Sequence, residues 1–149
     1  MDLFKIFSLS GSGMAAQRSR MTVVAGNLAN SETTRTAEGG PYRRRDIIFK
    51  STPADGEFSS ELDKISGRDN EPQGVEVVGV KPSSRPPRTI YDPHHPDADG
   101  AGYVALPNIN AMEEMVDMMS AVRSYEANLA TYNTTKSLIR KILDIGRGQ

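Results

Sequence analysis

Two adjacent histidines and three aspartates form the segment of this chain that is best suited to metal chemistry. They are Asp92, His94, His95, Asp97 and Asp99. Imidazole and carboxylate groups bind metals, and the Asp-Ala-Asp-Gly stretch resembles the start of a calcium loop. No acidic residue follows at the position from which such a loop takes its bidentate ligand. Because Pro93 and Pro96 bracket the histidines, we predict a structural turn and no metal site.

Three consecutive arginines, Arg43 to Arg45, are the strongest candidates for contact with phosphate. Nucleic-acid surfaces combine such charges with aromatic rings that stack on bases, and only Tyr42 stands nearby. The whole chain carries a net charge of −1, so it is not strongly attracted to polyanions. We therefore predict that the arginines lie on a strand facing solvent or another subunit, with no nucleic acid bound.

Catalytic motifs are missing from the sequence. The chain has no cysteine, which excludes disulfides, thiolate metal sites and cysteine nucleophiles. It contains neither a P-loop nor the G-x-S-x-G and G-x-G-x-x-G patterns. No two acidic residues are paired by the pattern for glycan hydrolysis, since the acidic residues fall in turns or on helix surfaces. We predict a protein without catalytic residues, cofactor or small-molecule substrate.

Composition predicts a small core. The 149 residues fit a single domain, with 37% hydrophobic residues, no Trp, four Phe and a mean hydropathy of −0.49. Helices that bury apolar faces against neighbouring chains would suit these numbers. No run approaches the ~18–20 apolar residues of a membrane span. The first residues include Asp2 and no continuous apolar core, so we expect export, if it occurs, without a cleaved signal peptide.

Residues 2–31 are predicted to form a helix whose apolar residues follow the four-three spacing of a heptad. These residues are Leu3, Phe7, Met14, Met21, Val24 and Leu28, with Ser10 and Gln17 in the two remaining places. Gly11, Gly13 and Gly26 interrupt the pattern, and each costs ~1 kcal/mol relative to Ala inside a helix. We therefore expect either a kink near Gly11–Gly13 or the close approach of another helix.

Residues 108–146 show the clearest helical pattern in the chain. Asn110 and Glu113 suit a capping box at its start, and Gly146 stands near its end. Its apolar stripe comprises Met112, Met115, Met119, Val122, Tyr125, Leu129, Tyr132, Ile139 and Ile142. A helix of ~50 Å, at 1.5 Å per residue, is typical of a coiled coil. We predict an antiparallel pair with the first helix, and helices of other subunits against the remaining apolar surface, which includes Met118 and Leu138.

Between the helices, prolines and glycines separate strand candidates at residues 42–50, 75–80, 88–91 and 103–106. Residues 53–72 are polar and are expected to form a loop. The predicted fold class is therefore α+β, with long N- and C-terminal helices in an antiparallel coiled coil and a small β-rich middle region. We expect residues 1–35 and 108–149 to form a discontinuous inner domain, and residues 36–107 a small β-rich domain.

Charge is segregated along the chain. Residues 35–50 carry five basic and two acidic residues, residues 92–117 carry six acidic and no basic residues, and residues 136–147 carry four basic residues and one acidic residue. Solvated patches would account for this distribution. Complementary surfaces on a subunit that stacks on copies of itself would account for it as well.

Two segments resemble the signatures of flagellar rod and hook axial proteins. Ala25-Gly-Asn-Leu-Ala-Asn30, with Thr33 following, is similar to A-x-N-L-A-N-x-x-T, and Arg123-Ser-Tyr-Glu-Ala-Asn128 is similar to R-x-Y-x-A-N. The stretches that begin at Pro41, Tyr91 and Gly102 resemble the proximal-rod members of this family. Longer distal-rod and hook members carry an inserted domain that has no counterpart in this sequence.

The resemblance implies a structural subunit of the proximal rod of the bacterial flagellar basal body. It implies export by the flagellar type III apparatus and helical stacking in the periplasm with copies of itself and other rod proteins. On this interpretation the apolar residues of both helices, named above, form subunit interfaces. We expect four polar residues to link helices of different subunits by hydrogen bonds: Asn27, Asn30, Arg123 and Asn128. The alternatives are a coiled-coil component of another secretion or filament system, and a peptidoglycan-cleaving rod accessory.

Overall fold

The computed structural model, which describes residues 3–53 and 73–147, contains two long helices and four strands in its described part. In chain order these are α1 (Leu3–Ala29), β1 (Arg45–Pro53), β2 (Gln73–Pro82), β3 (Arg88–Tyr91), β4 (Tyr103–Leu106) and α2 (Ala111–Arg147). β1 pairs with β2, and β3 pairs with β4 in antiparallel register. The predicted α+β class is confirmed, and β3 and β4 have the predicted bounds. The predicted loop at residues 53–72 lies outside the described residues except for Pro53, which ends β1.

The chain divides into two compact units that both contain parts of α1 and α2. The first unit combines Met1–Ser19, Phe49–Val78 and Ala121–Gln149. The second combines Arg20–Ile48 and Gly79–Ser120. The division into a helical inner domain (residues 1–35 and 108–149) and a β-rich domain (residues 36–107) stays a prediction.

In the first unit, α1 is helical through Gly11 and Gly13, where the sequence predicted either a kink or the close approach of another helix. The alternative, close approach of another helix, is confirmed at Gly13. A Cβ atom built there would lie 3.0–3.1 Å from the side-chain amide of Asn128 on α2. Nearby, the rings of Phe7 and Tyr132 lie 4.0 Å apart between centroids. Glycine at residue 13 therefore allows the two helix backbones to come together.

In the second unit, α1 contacts α2 through polar side chains. Arg20 pairs with Asp117 at 3.1 Å, and Asn27 donates a hydrogen bond to Glu114 at 3.0 Å. In both units, residues later in α1 contact residues earlier in α2. The helix segments are therefore antiparallel, as the sequence predicts.

The predicted seam of α2 is shifted around the helix in the structure. Its least exposed positions follow an uninterrupted four-three spacing: Glu114, Met118, Ala121, Tyr125, Asn128, Tyr132, Thr135 and Ile139. Only Tyr125, Tyr132 and Ile139 belong to the predicted stripe, whose other members are exposed: Met112, Met115, Met119, Val122, Leu129 and Ile142. The residues of the α1 pattern, by contrast, are all buried or half-buried. Apolar character alone could not identify the α2 face that packs on this chain, because half of that face is small or polar.

The start of α2 is capped as expected, with one difference. The Asn110 side-chain oxygen accepts a hydrogen bond from the Met112 N–H at 3.0 Å, which satisfies one of the free donors of the first turn. Glu113 accepts a 3.4 Å hydrogen bond from the Asn110 side-chain amide, where a capping box would use the backbone N–H of the cap residue.

Candidate subunit interface and the polar cluster beside it

Asn27 of α1 lies at the centre of a buried hydrogen-bond cluster in the second unit. Its side chain is almost fully buried, at 1% exposure. The amide nitrogen donates to the Arg45 carbonyl at 2.9 Å and to Glu114 at 3.0 Å. The amide oxygen accepts from the Arg45 N–H at 2.8 Å and from the Tyr42 hydroxyl at 3.3 Å. These four bonds fill the amide's capacity and tie α1 to the start of β1 and to α2.

Glu114 of α2 is a buried carboxylate, also 1% exposed, and Arg44 neutralises it. Its Oε1 accepts a hydrogen bond from Arg44 Nε at 2.6 Å. Arg44 also pairs with Asp46 and lies 3.7 Å from Asp117. A buried carboxylate is tolerated only with such compensation, because an unpaired charge in the protein interior is strongly destabilising.

Arg44 keeps its positive charge throughout the accessible pH range. Burial lowers the pKa of Arg44, but the hydrogen bond to Glu114 and the charges of Glu114, Asp46 and Asp117 outweigh it and raise the pKa above its usual value. Because the pKa of Arg44 is raised in the folded state, its charge stabilises the fold fully below the unfolded pKa, and this effect is lost only as the pH rises through the still higher folded pKa. The charge of Arg44, and with it the ion pair to Glu114, therefore does not change with pH under physiological conditions.

The three consecutive arginines differ in their exposure to solvent. Arg43 and Arg45 are exposed, whereas Arg44 is half-buried against Glu114. Consecutive residues of an extended chain point to opposite sides, which explains the alternation. The predicted exposed strand position is correct for Arg45, whereas Arg43 is exposed but precedes β1 and Arg44 is half-buried.

Four apolar side chains of α2 in the same unit are exposed. They are Met112, Met115, Val116 and Met119, with exposures of 67% and 54% at Met112 and Met119. At 3.6 residues per turn, they lie roughly 100–200° around the helix from Glu114. Met112 and Val116 line an open depression of about 430 Å³ together with Arg44, Glu113 and Asp117. An apolar patch with a charged rim is typical of protein–protein interfaces.

Three of the polar residues predicted to link subunits form bonds inside this chain. The side-chain amide of Asn27 makes the four hydrogen bonds described above. Asn30 donates to the Gly26 carbonyl at 2.9 Å and accepts from Thr33 at 3.2 Å, so it closes the end of α1. Asn128 donates to the Ser124 carbonyl at 2.9 Å. Arg123 is exposed and makes no side-chain hydrogen bond or ion pair within the described residues, so its role at an interface stays a prediction.

The histidine–aspartate segment forms a hydrogen-bonded turn. Asp99 Oδ1 accepts from the N–H groups of Ala101 and Tyr103, both at 2.9 Å, and Asp92 Oδ1 accepts from the His94 N–H at 3.2 Å. The backbone of Asp92 and Gly102 is also joined, at 2.9 Å. These bonds confirm the predicted structural turn. In the part of the chain that the structure describes, no three metal-binding side chains are grouped around a common point.

The chain resembles known proteins along nearly its whole length. The family model described as Flagella basal body rod protein matches residues 8–35, and that described as Flagellar basal body rod FlgEFG protein C-terminal matches residues 101–145. The flagellar basal-body rod protein FlgC of Borreliella burgdorferi is 43% identical over 99% of this chain and 100% of its own length. FlgC of Bacillus subtilis and FlgC of Salmonella typhimurium match with the same coverage at 42% and 39% identity. This chain belongs to the FlgC family of flagellar basal-body rod proteins.

Family membership confirms the resemblance read from the two signatures, and the structure shows what those signatures do. Asn27 and Asn30 of the first signature organise the end of α1, and Asn128 of the second packs on Gly13. No helix in the described ranges is both long enough and apolar enough to cross a membrane.

Sequence reasoning missed the charged half of the cluster. Its members are charged residues without a hydrophobic periodicity: Arg20, Arg44, Asp46, Glu114 and Asp117. Two of the pairs, Arg20–Asp117 and Arg44–Glu114, join residues that are far apart in the chain. One signal was available: small or polar residues recur every seven positions on α2, at Glu114, Ala121, Asn128 and Thr135. Read as one half of a heptad, this spacing would have identified the packed face.

Proposed function

We propose that this protein is a non-catalytic structural subunit of the proximal rod of the bacterial flagellar basal body. In this proposal it assembles helically with copies of itself and with other rod proteins in the periplasm. It reaches that site through the flagellar type III export apparatus, without a cleaved signal peptide. The full-length similarity to proteins named flagellar basal-body rod protein supports this function over another secretion system or a peptidoglycan-cleaving accessory.

The observation that carries the proposal is the uncovered face of α2. One side of this helix packs on α1, and the other presents Met112, Met115, Val116 and Met119 to solvent. Burying an exposed side chain of this size contributes ~1.5–3 kcal/mol. A partner that covers the four residues therefore gains much of the free energy that association requires. A contact between two different surfaces repeats along a filament and does not close into a dimer.

A pair of neighbouring substitutions tests this use of α2. Met119→Asp places a charge in the apolar stripe, while Ser120→Asp places the same charge at the next exposed position. Because both positions are exposed, we expect both variants to fold and to accumulate normally in cells. Met119→Asp should abolish motility and should be missing from isolated basal bodies, since an unpaired charge would be buried on assembly. Cells with Ser120→Asp should retain most of their motility and most of the chain in their basal bodies.

The measurements are swimming in soft agar, and immunodetection of the chain in whole cells and in purified basal bodies. Incorporation of Met119→Asp at the level of Ser120→Asp would show that the stripe is not a subunit interface. Normal flagella in cells that lack the protein altogether would contradict the proposed function itself.

A further inference from the structure

Two exposed arginines of the second unit border a small cleft. Arg43 and Arg85 line it together with Arg44 and Pro87. Neither guanidinium group forms a hydrogen bond or ion pair among the described residues. Arg44 in the same cleft is already neutralised by Glu114. The cleft therefore presents two positive charges without a counter-charge of its own.

The dimensions of the cleft suit a side chain. Its volume of about 130 Å³ is well below the ~300–1,000 Å³ of typical small-molecule sites. Guanidinium groups pair most favourably with carboxylates, with which they can form two parallel hydrogen bonds. The expected occupant is therefore an aspartate or glutamate of a protein partner.

The acidic turn of residues 92–102 carries carboxylates that could pair with the arginines of such a cleft. Asp92 and Asp99 each use one carboxylate oxygen to fix this turn. Their second oxygens have no partner in the described part of the chain. Asp97 is engaged by Thr34 at 2.7 Å and lies 3.9 Å from Arg35. Because the turn is held by its own hydrogen bonds, little conformational entropy is lost when it docks.

We propose that the acidic turn of one copy docks in the Arg43–Arg85 cleft of the next copy. Within one copy, no ion pair in the described ranges joins the turn to either arginine. The two surfaces differ, so the contact is head-to-tail and can propagate along an assembly. This contact rests on the proposed function as a stacking subunit, and it adds a charged contact to the apolar contact on α2.

Charge reversal tests the cleft. Arg43→Glu with Arg85→Glu should lower the amount of the chain in basal bodies by at least about tenfold, because like charges then face each other across the contact. Lys81→Glu with Arg88→Glu is the matched control. It reverses two exposed basic residues of the same unit that do not line the cleft. Both double variants should accumulate normally in whole cells. Equal incorporation of the two would overturn the proposal.

Cysteine cross-linking tests the identity of the partner, and the absence of native cysteine makes it specific. One copy carries Pro87→Cys at the cleft, and a second copy with a different tag carries His94→Cys on the turn. Mild oxidation of assembled basal bodies should give a mixed dimer when both copies are present, and no dimer when either is present alone. A Pro87→Cys dimer formed alone would indicate a symmetric contact and would overturn the head-to-tail arrangement.

The outcomes separate this contact from the proposed function. If Met119→Asp blocks incorporation while the cleft reversal has no effect, the docking contact is wrong and the rod function stands. If the cleft reversal blocks incorporation but no mixed dimer forms, the carboxylate belongs to another rod protein, and docking between copies is wrong.

Discussion

At the scale of single residues, the clearest result concerns the first signature segment. Asn27 uses all four hydrogen-bonding positions of its amide inside the chain, and Asn30 closes the end of α1. The segment thus has a role in folding the subunit, separate from any role in assembly. An amide suits this place, because the site needs a donor toward Glu114 and the Arg45 carbonyl and an acceptor for the Arg45 N–H and the Tyr42 hydroxyl.

Replacing this asparagine should therefore destabilise the fold. Asn27→Ala leaves the N–H and carbonyl of Arg45 and one oxygen of Glu114 without their partners. The Glu114 oxygen is buried, and an unsatisfied buried group costs ~1–3 kcal/mol, whereas the two Arg45 groups are only part-buried and cost less. We therefore expect the free energy of unfolding to fall by about 2–4 kcal/mol. Urea unfolding of the purified chain, followed by circular dichroism, measures this loss.

Asn133→Ala is the control, because Asn133 is an exposed asparagine of α2. Its free energy of unfolding should stay within ~0.5 kcal/mol of the parent value. Equal effects of the two substitutions would mean that the Asn27 cluster contributes little to stability.

At the scale of elements, the sequence predicted where the helices and strands lie in the chain better than it predicted which helix face is packed. The prolines and glycines that separate the strands predicted β3 and β4 correctly. Periodicity, together with the capping residues of α2, predicted the bounds of α1 and α2 to within a few residues. The packed face of α2 was predicted only in part, because apolar residues lie on both its packed and its exposed sides. Tertiary contacts decide which face is covered, and here Glu114 and Thr135 are covered while Met112 and Met119 are not.

The candidate site was only partly predictable, for a related reason. The pattern predicted Met112, Met115 and Met119 as interface residues, and their exposure is compatible with that prediction. It could not identify the pairing of Arg44 with Glu114, which depends on a contact between residues 70 positions apart in the sequence. The same arginine run gave no sign that its middle member is half-buried.

Two glycines of α1 offer a matched test of how the helices approach. A Cβ at Gly11 would meet no atom within 4 Å, so Gly11→Ala should raise the free energy of unfolding by ~0.5–1 kcal/mol through helix propensity. A Cβ at Gly13 would press on the Asn128 amide, which is held by its bond to Ser124. Gly13→Ala should therefore lower the free energy of unfolding. Urea unfolding measures both changes.

Truncating Asn128 should relieve that pressure. The Gly13→Ala and Asn128→Ala double variant should be more stable than the sum of the two single changes predicts, because the added methyl group then occupies the vacated space. Additive single effects would indicate that the two residues do not press on each other.

At the scale of the whole molecule, α2 divides its surface between two tasks. One face packs on this chain with a mixture of small, polar and apolar residues, and the other face presents further apolar residues, among them Met112 and Met119, to solvent. This division explains how a protein with a mean hydropathy of −0.49 can still present large hydrophobic side chains to solvent. It also implies that the least covered part of α2 depends most on neighbours for its order.

That part is residues 136–146, in which only Ile139 is not exposed. Isolated helical segments gain most of their stability from packing, and ordering each residue costs roughly 1–2 kcal/mol in backbone entropy. We therefore expect amide hydrogens of residues 140–146 to exchange rapidly in the dilute subunit and slowly in assembled rods. Residues 114–135, which lie against α1, should already be protected in the subunit. Hydrogen exchange with mass spectrometry on both states provides the measurement. Equal protection of residues 140–146 in the two states would show that the end of α2 is ordered before assembly, and that neighbours add contacts there without folding it.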